Sequence, residues 1–308
     1  MFSYISYARL DAEHGLNPYD AVPSDAPSDD AFRFVGWRDA ASAYGPLFTL
    51  ASHPLGLVSV PVALWTLKAI AALAVLGIAA LVARLAAARG TDPRFAAALV
   101  ALNPLVLVHA VGGAHNDGLM MLAVLVGTAG VLAGAELRAG ASLVAGVAVK
   151  VSGAFVAPFA LLGARRQGRL LAGAALALVA IGVAALPAFG SGALDSLGLA
   201  GENQAATSRY SVPATLSRLL GVDVDAVRAI ALVAFAAAVI WLLAWTARGG
   251  DWVRAAGWAA LALLLATGWL LPWYVLWVLP FAAIAADGAL TGCALALCAF
   301  QIINRIPL

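Results

Sequence analysis

The sequence predicts an all-α polytopic membrane protein, a helical bundle with extracytoplasmic loops. Of its 308 residues, 63% are hydrophobic and only 11% are charged, and the mean hydropathy is +0.95. Apolar runs of about 20 residues, the length of a helix that crosses a bilayer, recur along the chain. Because these runs are long and rich in Ala and Leu, they do not fit the alternating strands of an outer-membrane barrel.

The chain divides into a polar head and an apolar body. Residues 1–46 hold seven acidic residues against three arginines, with Pro and Gly throughout, and predict an extracytoplasmic first loop. Residues 47–308 predict a multi-pass transmembrane domain with about eight spans plus a re-entrant hairpin near 142–162. Residues 47–58 are interrupted by Pro54 and predict a juxtamembrane or half-inserted helix. The predicted spans are 59–83, 95–111, 118–134, 170–188, 226–247, 254–271, 273–286 and 289–304.

The placement of arginine predicts the orientation, because cytoplasmic loops carry an excess of Lys and Arg. One topology puts nine arginines together on the cytoplasmic side of the inner membrane: Arg84, Arg89, Arg94, Arg138, Arg165, Arg166, Arg169, Arg248 and Arg254. The other side then holds residues 1–46, the turn at 111–118, the loop 189–225 and the turn 271–274. The segment 142–162 must fold back as a hairpin, since Arg138 and Arg165 otherwise lie on opposite sides.

Charge and spacing exclude several functions. The net charge of +2 comes from residues that are spread widely, so no basic block suggests nucleic acid, and lipids or sugars are the expected partners. Cys293 and Cys298 lie five apart in one apolar run, which fits neither a disulfide framework nor a metal site. His109 and His115 are six apart without an acidic pair beside them, so we expect no metal and no cofactor.

The turn "VGGAHNDGLM" places three polar residues between two apolar runs. Asn116 and Asp117 directly precede a predicted helix, so they could cap it, or they could contact a substrate. His115 between glycines could be an ordinary loop residue or could line a site.

Lys150 lies inside the apolar hairpin with no acidic residue within helical reach. An intramembrane lysine is costly, which favours a phosphate-binding role over snorkelling or an ion pair that the sequence does not reveal. Lys68 lies nearer one end of its helix and is expected to snorkel.

Two further segments carry candidate binding residues. In "TSRYSVP", Arg209 and Tyr210 could clamp a phosphate or stack on a sugar, and solvated loop residues have the same appearance. In "LPWYVLW", Tyr274 and its neighbouring tryptophans fit a membrane aromatic belt or a sugar platform. "NPY" and "YGP", the latter containing Tyr44, indicate turns.

Five motifs occur in a fixed order: "DAEHGLNPYDAVP" with "SAYGPLF", "LNPLVLVHAVGGAHNDGLM", "VAVKVSGAFVAPFALL" and "LPWYVLWVLPFA". This arrangement resembles the actinobacterial polyprenol-phosphate-mannose-dependent α-1,6-mannosyltransferases, integral-membrane glycosyltransferases of the GT-C class. The resemblance implies a GT-C-like bundle that transfers mannose from a polyprenyl-phosphate-mannose donor to a mannan or lipoglycan hydroxyl outside the cytoplasmic membrane.

The resemblance also implies roles for particular residues. The donor headgroup would be contacted by His115, Asn116, Asp117, Lys150 and Arg209, and the loop with Tyr44 would face the acceptor. The displacement needs a carboxylate that accepts the hydroxyl proton and cations that hold the departing phosphate.

In the family, the catalytic Asp belongs to a motif that reads Arg, Asp, one hydrophobic residue and then "FSY". This chain begins "MFSY", so Met1 occupies the position of the hydrophobic residue. We therefore expect the gene product to start further upstream, with an additional helix. Within the present sequence the carboxylates that could replace that base are Asp11, Asp39 and Asp117. The competing functions are a transporter or lipid flippase, which could also use broken helices and a buried lysine, and an inactive truncated transferase.

Overall fold

The computed structural model describes residues 1–193 and 206–305. It is 74% helical, and the described residues contain no strand. The α-helices are α1 (Phe2–Ala12), α2 (Pro46–Gly56), α3 (Val60–Ala88), α4 (Pro93–Ala101), α5 (Asp117–Leu132), α6 (Glu136–Val149), α7 (Ala157–Gly163), α8 (Gln167–Phe189), α9 (Val212–Leu220), α10 (Val224–Ala247), α11 (Trp252–Ala266), α12 (Leu279–Ile284) and α13 (Gly288–Ile303). Short 3-10 helices cover Val151–Val156 and Pro272–Trp277, and a π-helix covers Val106–Val111.

The helices follow the apolar runs, which confirms an all-helical membrane protein. By length and hydropathy, α3, α8 and α10 could each cross a bilayer. The remaining runs form shorter apolar helices, since proline divides several of them. Aspartate side chains accept backbone N–H bonds at the starts of four helices: Asp92 at α4, Asp223 at α10, Asp251 at α11 and Asp287 at α13.

Ion pairs connect helix ends at one end of the bundle. Arg89, just after α3, donates to Asp251 and to the carbonyl of Ile284. Arg254 donates to Asp287 at 2.6 Å. These residues belong to the end that the arginine distribution assigns to the cytoplasm; the membrane topology itself stays a prediction.

The chain folds back between α6 and α8. Gly140 and Gly173 let the two helices touch, because a Cβ at Gly140 would lie 1.9 Å from the Leu170 carbonyl oxygen and one at Gly173 would lie 1.8 Å from that of Leu137. The first turns of α6 and α8 therefore lie together, and the segment between them returns through the 3-10 helix and α7. The return starts at Lys150, which is extended (φ −158°, ψ 125°).

The polar head is more structured than the predicted loop. Its first eleven residues after Met1 form α1, in which Tyr4 to Leu10 are all buried. Helix α1 packs on α2, where a Cβ at Gly56 would lie 2.3 Å from the Ala8 carbonyl oxygen. Since seven consecutive residues are buried, α1 has no apolar stripe of helical period that could reveal it in the sequence.

Arg9 connects α1 to its surroundings. Its Nε donates to both oxygens of Asp29, at 3.1 and 2.9 Å, and its Nη1 donates to the carbonyls of Gly56 and Val58. The Asp29 side chain is only 4% exposed. Burial alone would raise the pKa of this carboxyl, but hydrogen bonds from His14, the Ala31 N–H and Arg9 outweigh it, so the pKa lies below the ordinary value of 3.8.

A carboxyl with a depressed pKa stabilises the fold above its ordinary pKa, and this contribution is lost as the pH falls through the lower folded value. We therefore expect Asp29→Asn to lower the thermal midpoint of unfolding at pH 7. The difference in midpoint between this variant and the wild type should become smaller below about pH 4. Asp30→Asn, at the exposed neighbouring carboxylate, is the matched control and should leave the midpoint unchanged. A gap for Asp29→Asn that stays constant with pH would contradict this account.

Candidate functional site

A cavity of about 610 Å³ opens between α1, the turn before α5, the break after α6 and the 3-10 helix Pro272–Trp277. This volume is within the range of small-molecule sites. Nine aromatic side chains lie on its wall: Tyr4, Tyr7, Trp37, Tyr44, His115, Trp269, Trp273, Tyr274 and Trp277. Two cationic side chains on this wall, among the residues that the structure describes, are Lys150 and Arg228.

A buried ion pair lies at the base of the cavity. The Lys150 ammonium donates to both oxygens of Asp117 at 2.8 Å. The indole N–H of Trp277 donates to Asp117 Oδ1 at 2.7 Å, and the Asp117 side chain is 0% exposed. The sequence could not show this pair, because its members are 33 residues apart on different helices. Lys150 therefore forms the ion pair that the sequence did not reveal, one of the three explanations considered for a lysine in this apolar segment.

The Lys150 ammonium also faces aromatic rings and the cavity. Its Nζ lies 4.8 Å from the ring centre of Tyr274 and 5.5 Å from that of Trp277, and the side chain keeps 16% exposure. Tyr274 stacks on Trp277 with 4.2 Å between ring centres. The ion pair thus holds a positive charge against two π faces, where a ligand can still reach it.

Asp117 does not fit either role expected from the sequence. It is the first residue of α5, and neither it nor Asn116 caps that helix through its side chain. Both carboxylate oxygens are already bound, and Asp117 does not line the cavity. In this arrangement it positions Lys150, and its catalytic role stays a prediction.

His115 forms part of the wall. Its ring stacks on Trp273 with 3.4 Å between centres, and its Nδ1 lies 3.3 Å from the Tyr4 hydroxyl. Burial first, and then positive charges that include Lys150, hold the pKa of His115 well below its usual range, so the imidazole is neutral. The Tyr4 hydroxyl donates to Asn116 Oδ1 at 3.3 Å, so it can accept from a protonated Nδ1 of His115.

Three buried polar atoms around this wall have no hydrogen-bond partner in the part of the chain that the structure describes: Asn116 Nδ2, Ser152 Oγ and Trp273 Nε1. Ser152 and Trp273 line the cavity. Buried polar groups are normally paired, so these atoms mark places where a polar ligand would gain hydrogen bonds.

Tyr44 lies on the cavity wall, and that its loop faces the acceptor stays a prediction. Its ring meets Tyr4 edge to face, with 4.7 Å between centres, and its carbonyl accepts from the Tyr19 hydroxyl. Burial raises the pKa of Tyr44 to about 12, so it remains a neutral hydroxyl group.

Several candidates lie outside the cavity. Arg209 is exposed, and the Tyr210 ring packs under Arg305 at 4.4 Å. Asp11 accepts from His53 at 2.5 Å, and Asp39 accepts from the Ser24 hydroxyl. The structure thus joins His115, Asn116, Asp117, Lys150, Tyr44 and Tyr274, and it separates Arg209, Tyr210 and Asp11 from them.

The site also contains residues that the sequence analysis did not select. Tyr4 and Tyr7 lie in α1, in a segment predicted to be a loop, and their spacing of three was the only available signal. Arg228 is the one charged residue inside the otherwise apolar run 226–247. Like Lys150, an isolated charge in such a run indicates a candidate site residue.

Glu13, His14 and Asp29 are the one group in the described residues whose side-chain oxygen and nitrogen atoms lie within 4.8 Å of one another, as metal ligands do. The guanidinium of Arg9 already binds Glu13 and Asp29. A bound cation would compete with that guanidinium, so the group is better explained as an ion-pair cluster.

Residues 1–166 match the family model described as alpha-(1->6)-mannopyranosyltransferase, N-terminal domain, and residues 211–307 match the MptB C-terminal domain. The chain belongs to the alpha-(1->6)-mannopyranosyltransferase family. The resemblance inferred from the five motifs is therefore confirmed.

Two relatives share the name alpha-(1->6)-mannopyranosyltransferase A. The protein from Mycobacterium tuberculosis is 30% identical over 319 aligned residues, which cover 92% of this chain and 60% of the relative. The protein from Corynebacterium glutamicum is 28% identical over 168 residues, which cover 52% of this chain and 33% of the relative. The chain thus spans less than two thirds of the length of these relatives. No solved structure matches it.

The ion pair makes a testable prediction about stability. Lys150→Met leaves the Asp117 charge buried without its ammonium partner, which should lower the free energy of unfolding by about 3–5 kcal/mol. The double variant Lys150→Met/Asp117→Asn has no such charge and should recover most of that loss. Thermal unfolding in lipid nanodiscs measures both variants, and a double variant with additive losses would show that the two residues are not coupled.

Proposed function

We propose that this chain transfers mannose from a polyprenyl-phosphate-mannose donor to a hydroxyl of a mannan or lipoglycan acceptor, forming α-1,6 linkages. The reaction takes place on the extracytoplasmic side of the inner membrane, and the bundle belongs to the GT-C class. The observation that carries this proposal is a cavity lined by aromatic side chains and by the Lys150 ammonium, which a buried carboxylate holds in place, in a member of this family.

The arrangement suits an anionic sugar ligand. Negative charge grows on the phosphate as the anomeric carbon–oxygen bond breaks, and a fixed ammonium stabilises that charge without rearranging. Asp117 and Trp277 provide the fixed position of Lys150. The rings of His115 and Trp273 offer an apolar face for a sugar, and the unpartnered Trp273 Nε1 offers a donor for one of its oxygens.

The acceptor hydroxyl needs a proton acceptor at the cavity. None of the described residues on the wall is a carboxylate. Met1 and Ser3 are on the wall, so the family's Arg-Asp pair, in a chain that carries it before "FSY", would lie beside the cavity. In such a chain we assign the proton acceptor to the Asp of that motif, and not to Asp11 or Asp117.

The activity test compares two sets of membranes, one containing this chain and one containing a version with the Arg-Asp pair ahead of Met1. Both receive labelled polyprenyl-phosphate-mannose as donor and an α-1,6-mannan oligosaccharide as acceptor. In each version, the double variant Lys150→Met/Asp117→Asn removes the buried ion pair, so the ammonium is lost and the site stays neutral. We expect mannose transfer to fall about 10- to 100-fold, the effect of losing a charge-assisted hydrogen bond.

Lys68→Met on α3 is the matched control, because this lysine lies against Trp65 and not on the cavity wall. Transfer that survives loss of the Lys150 ammonium would refute its role. Absence of transfer in every version, with movement of the lipid across vesicles instead, would favour the flippase.

The acceptor side makes a separate prediction. Trp37 is 55% exposed, and its ring lies 5.9 Å from that of Trp269 on the cavity wall. If the glycan stacks there, Trp37→Ala should raise the acceptor KM about tenfold, equivalent to roughly 1.4 kcal/mol, and leave the donor KM unchanged. Trp241→Ala, at a 63% exposed tryptophan of α10 away from the cavity, is the control. An unchanged acceptor KM for Trp37→Ala would reject this surface.

A further inference from the structure

The hydrogen bonds around His115 determine which of its ring nitrogens carries the proton. The Tyr4 hydroxyl donates its single proton to Asn116 Oδ1 at 3.3 Å, and the same hydroxyl oxygen lies 3.3 Å from His115 Nδ1. Because that hydroxyl has no second proton to give, Nδ1 supplies the proton of the other hydrogen bond. A neutral imidazole with a protonated Nδ1 has its lone pair on Nε2, which is then a hydrogen-bond acceptor.

The ring of His115 is held so that Nε2 stays uncovered. It stacks on Trp273, with 3.4 Å between ring centres and 13° between ring planes. A Cβ at Gly113 would lie 2.8 Å from His115 Cδ2 and 3.0 Å from Nε2, so only glycine leaves this edge of the ring free. Within the described part of the chain no group hydrogen-bonds to Nε2, and His115 lies on the cavity wall. A lone pair is thus available to a ligand.

Several polar groups on the same wall can donate hydrogen bonds but cannot accept them. These are the indole N–H groups of its tryptophans and the cationic groups of Lys150 and Arg228. None of the described residues on the wall is a carboxylate. A sugar hydroxyl both donates and accepts, so its own proton needs a lone pair, which Nε2 of His115 provides.

A row of ring contacts connects His115 to the ammonium of Lys150. Lys150 Nζ lies 4.8 Å from the ring centre of Tyr274, and that ring lies 5.9 Å from the ring of Trp273, on which His115 stacks. A sugar that is bonded to a phosphate at the ammonium therefore has Trp273 and His115 as neighbours along the wall.

We propose that His115 recognises the sugar of the lipid-linked ligand, and that its Nε2 accepts a hydrogen bond from one hydroxyl of that sugar. Tyr4 is a positioning residue, because it keeps the imidazole proton on Nδ1. This assignment rests on the proposed function, since it takes the ligand to be a polyprenyl-phosphate sugar. A site built to hydrogen-bond a hydroxyl discriminates against sugars that lack it, so His115 determines specificity.

The first test measures binding of two probes by calorimetry, ten-carbon polyprenyl phosphate with and without mannose, to the protein in phosphatidylcholine nanodiscs. His115→Phe keeps an aromatic ring against Trp273 but has no lone pair. We expect it to weaken binding of the mannosylated probe about 3- to 10-fold, the effect of one hydrogen bond, and to leave binding of the bare phosphate unchanged. His115→Gln, which can place an oxygen near the position of Nε2, should recover part of this loss.

His109→Phe is the matched control, because His109 does not lie on the cavity wall, and it should leave both affinities unchanged. Thermal midpoints show whether each variant is folded. Equal weakening of both probes by His115→Phe would indicate a general change of the cavity, and unchanged binding of the mannosylated probe would show that His115 does not contact the sugar. Either result overturns the assignment.

Monodeoxy and deoxyfluoro analogues of the mannosylated probe identify the hydroxyl. One monodeoxy analogue should bind wild type about 3- to 10-fold more weakly than the mannosylated probe, whereas His115→Phe should bind the two equally. The fluorine of the deoxyfluoro analogue cannot donate a proton, so this analogue should be as weak as the deoxy one. A fluorinated analogue with full affinity for wild type would show that His115 donates, which contradicts the proposed lone pair.

Nitrogen-15 spectra of histidine-labelled wild type test the tautomer without any substitution at His115. We expect an unprotonated Nε2 whose chemical shift changes on binding of the mannosylated probe and not of the bare phosphate. Tyr4→Phe removes the acceptor of the Nδ1 proton, so it should raise the population with the proton on Nε2 and weaken binding of the mannosylated probe only. A proton on Nε2 in wild type would refute the assignment.

The mannose-transfer assay separates this proposal from the proposed function. Transfer together with wild-type affinities in folded His115→Phe rejects only the role of His115. Failure of wild type to bind either probe rejects the assignment together with the donor part of the proposed function. Sugar-dependent binding through His115 without any transfer supports the assignment and rejects the transferase, leaving a site that a lipid flippase would have.

Discussion

The buried pair of Asp117 and Lys150 determines the geometry of the cavity. It joins the first residue of α5 to the residue at which α6 ends, and Trp277 brings in the 3-10 helix Pro272–Trp277. Desolvating two charges costs several kcal/mol per ion, which their attraction and the added hydrogen bond must offset. Such a pair contributes little net stability but penalises every arrangement in which one partner lies alone. We infer that it specifies how these three segments meet.

The same pair explains why the chain breaks where it does. Lys150 is extended, so α6 stops and the chain turns back toward the start of α8. Lys150, Val151 and Ser152, the first residues after this break, all lie on the cavity wall together with His115, Trp273 and Tyr274. Irregular backbone in a membrane protein is tolerated where it lines a cavity, and this break does line one.

The all-helical membrane fold class was predictable because hydropathy and length are local properties of a sequence. Among the described residues only α3, α8 and α10 are long and apolar enough to cross a bilayer, so the arrangement of about eight spans stays a prediction. Loop charge predicts that the starts of α6 and α8, near Arg138 and Arg165, lie on one side, and these helix starts are in contact. That the segment 142–162 is re-entrant in a membrane stays a prediction. The pairing of Lys150 with Asp117 was not predictable, because no local sequence pattern indicates a contact between residues on different helices. Helix α1 was missed because it is buried all round and carries polar residues such as Arg9, whose partners come from other segments. Arg209 and Tyr210 had suitable chemistry, but the position of a loop depends on the packing beneath it.

A site for a lipid-linked anion in a membrane has to satisfy two conflicting requirements. Without a ligand, an unbalanced cation in the bundle would be costly, whereas with a ligand a fully balanced cation attracts the phosphate only weakly. Asp117 satisfies the first requirement for Lys150 by a permanent, buried counter-charge. The second requirement concerns access, and the Lys150 side chain keeps 16% exposure and lies on the cavity wall. On this account the pair balances the charge of the empty site and still presents an ammonium to a ligand in the cavity.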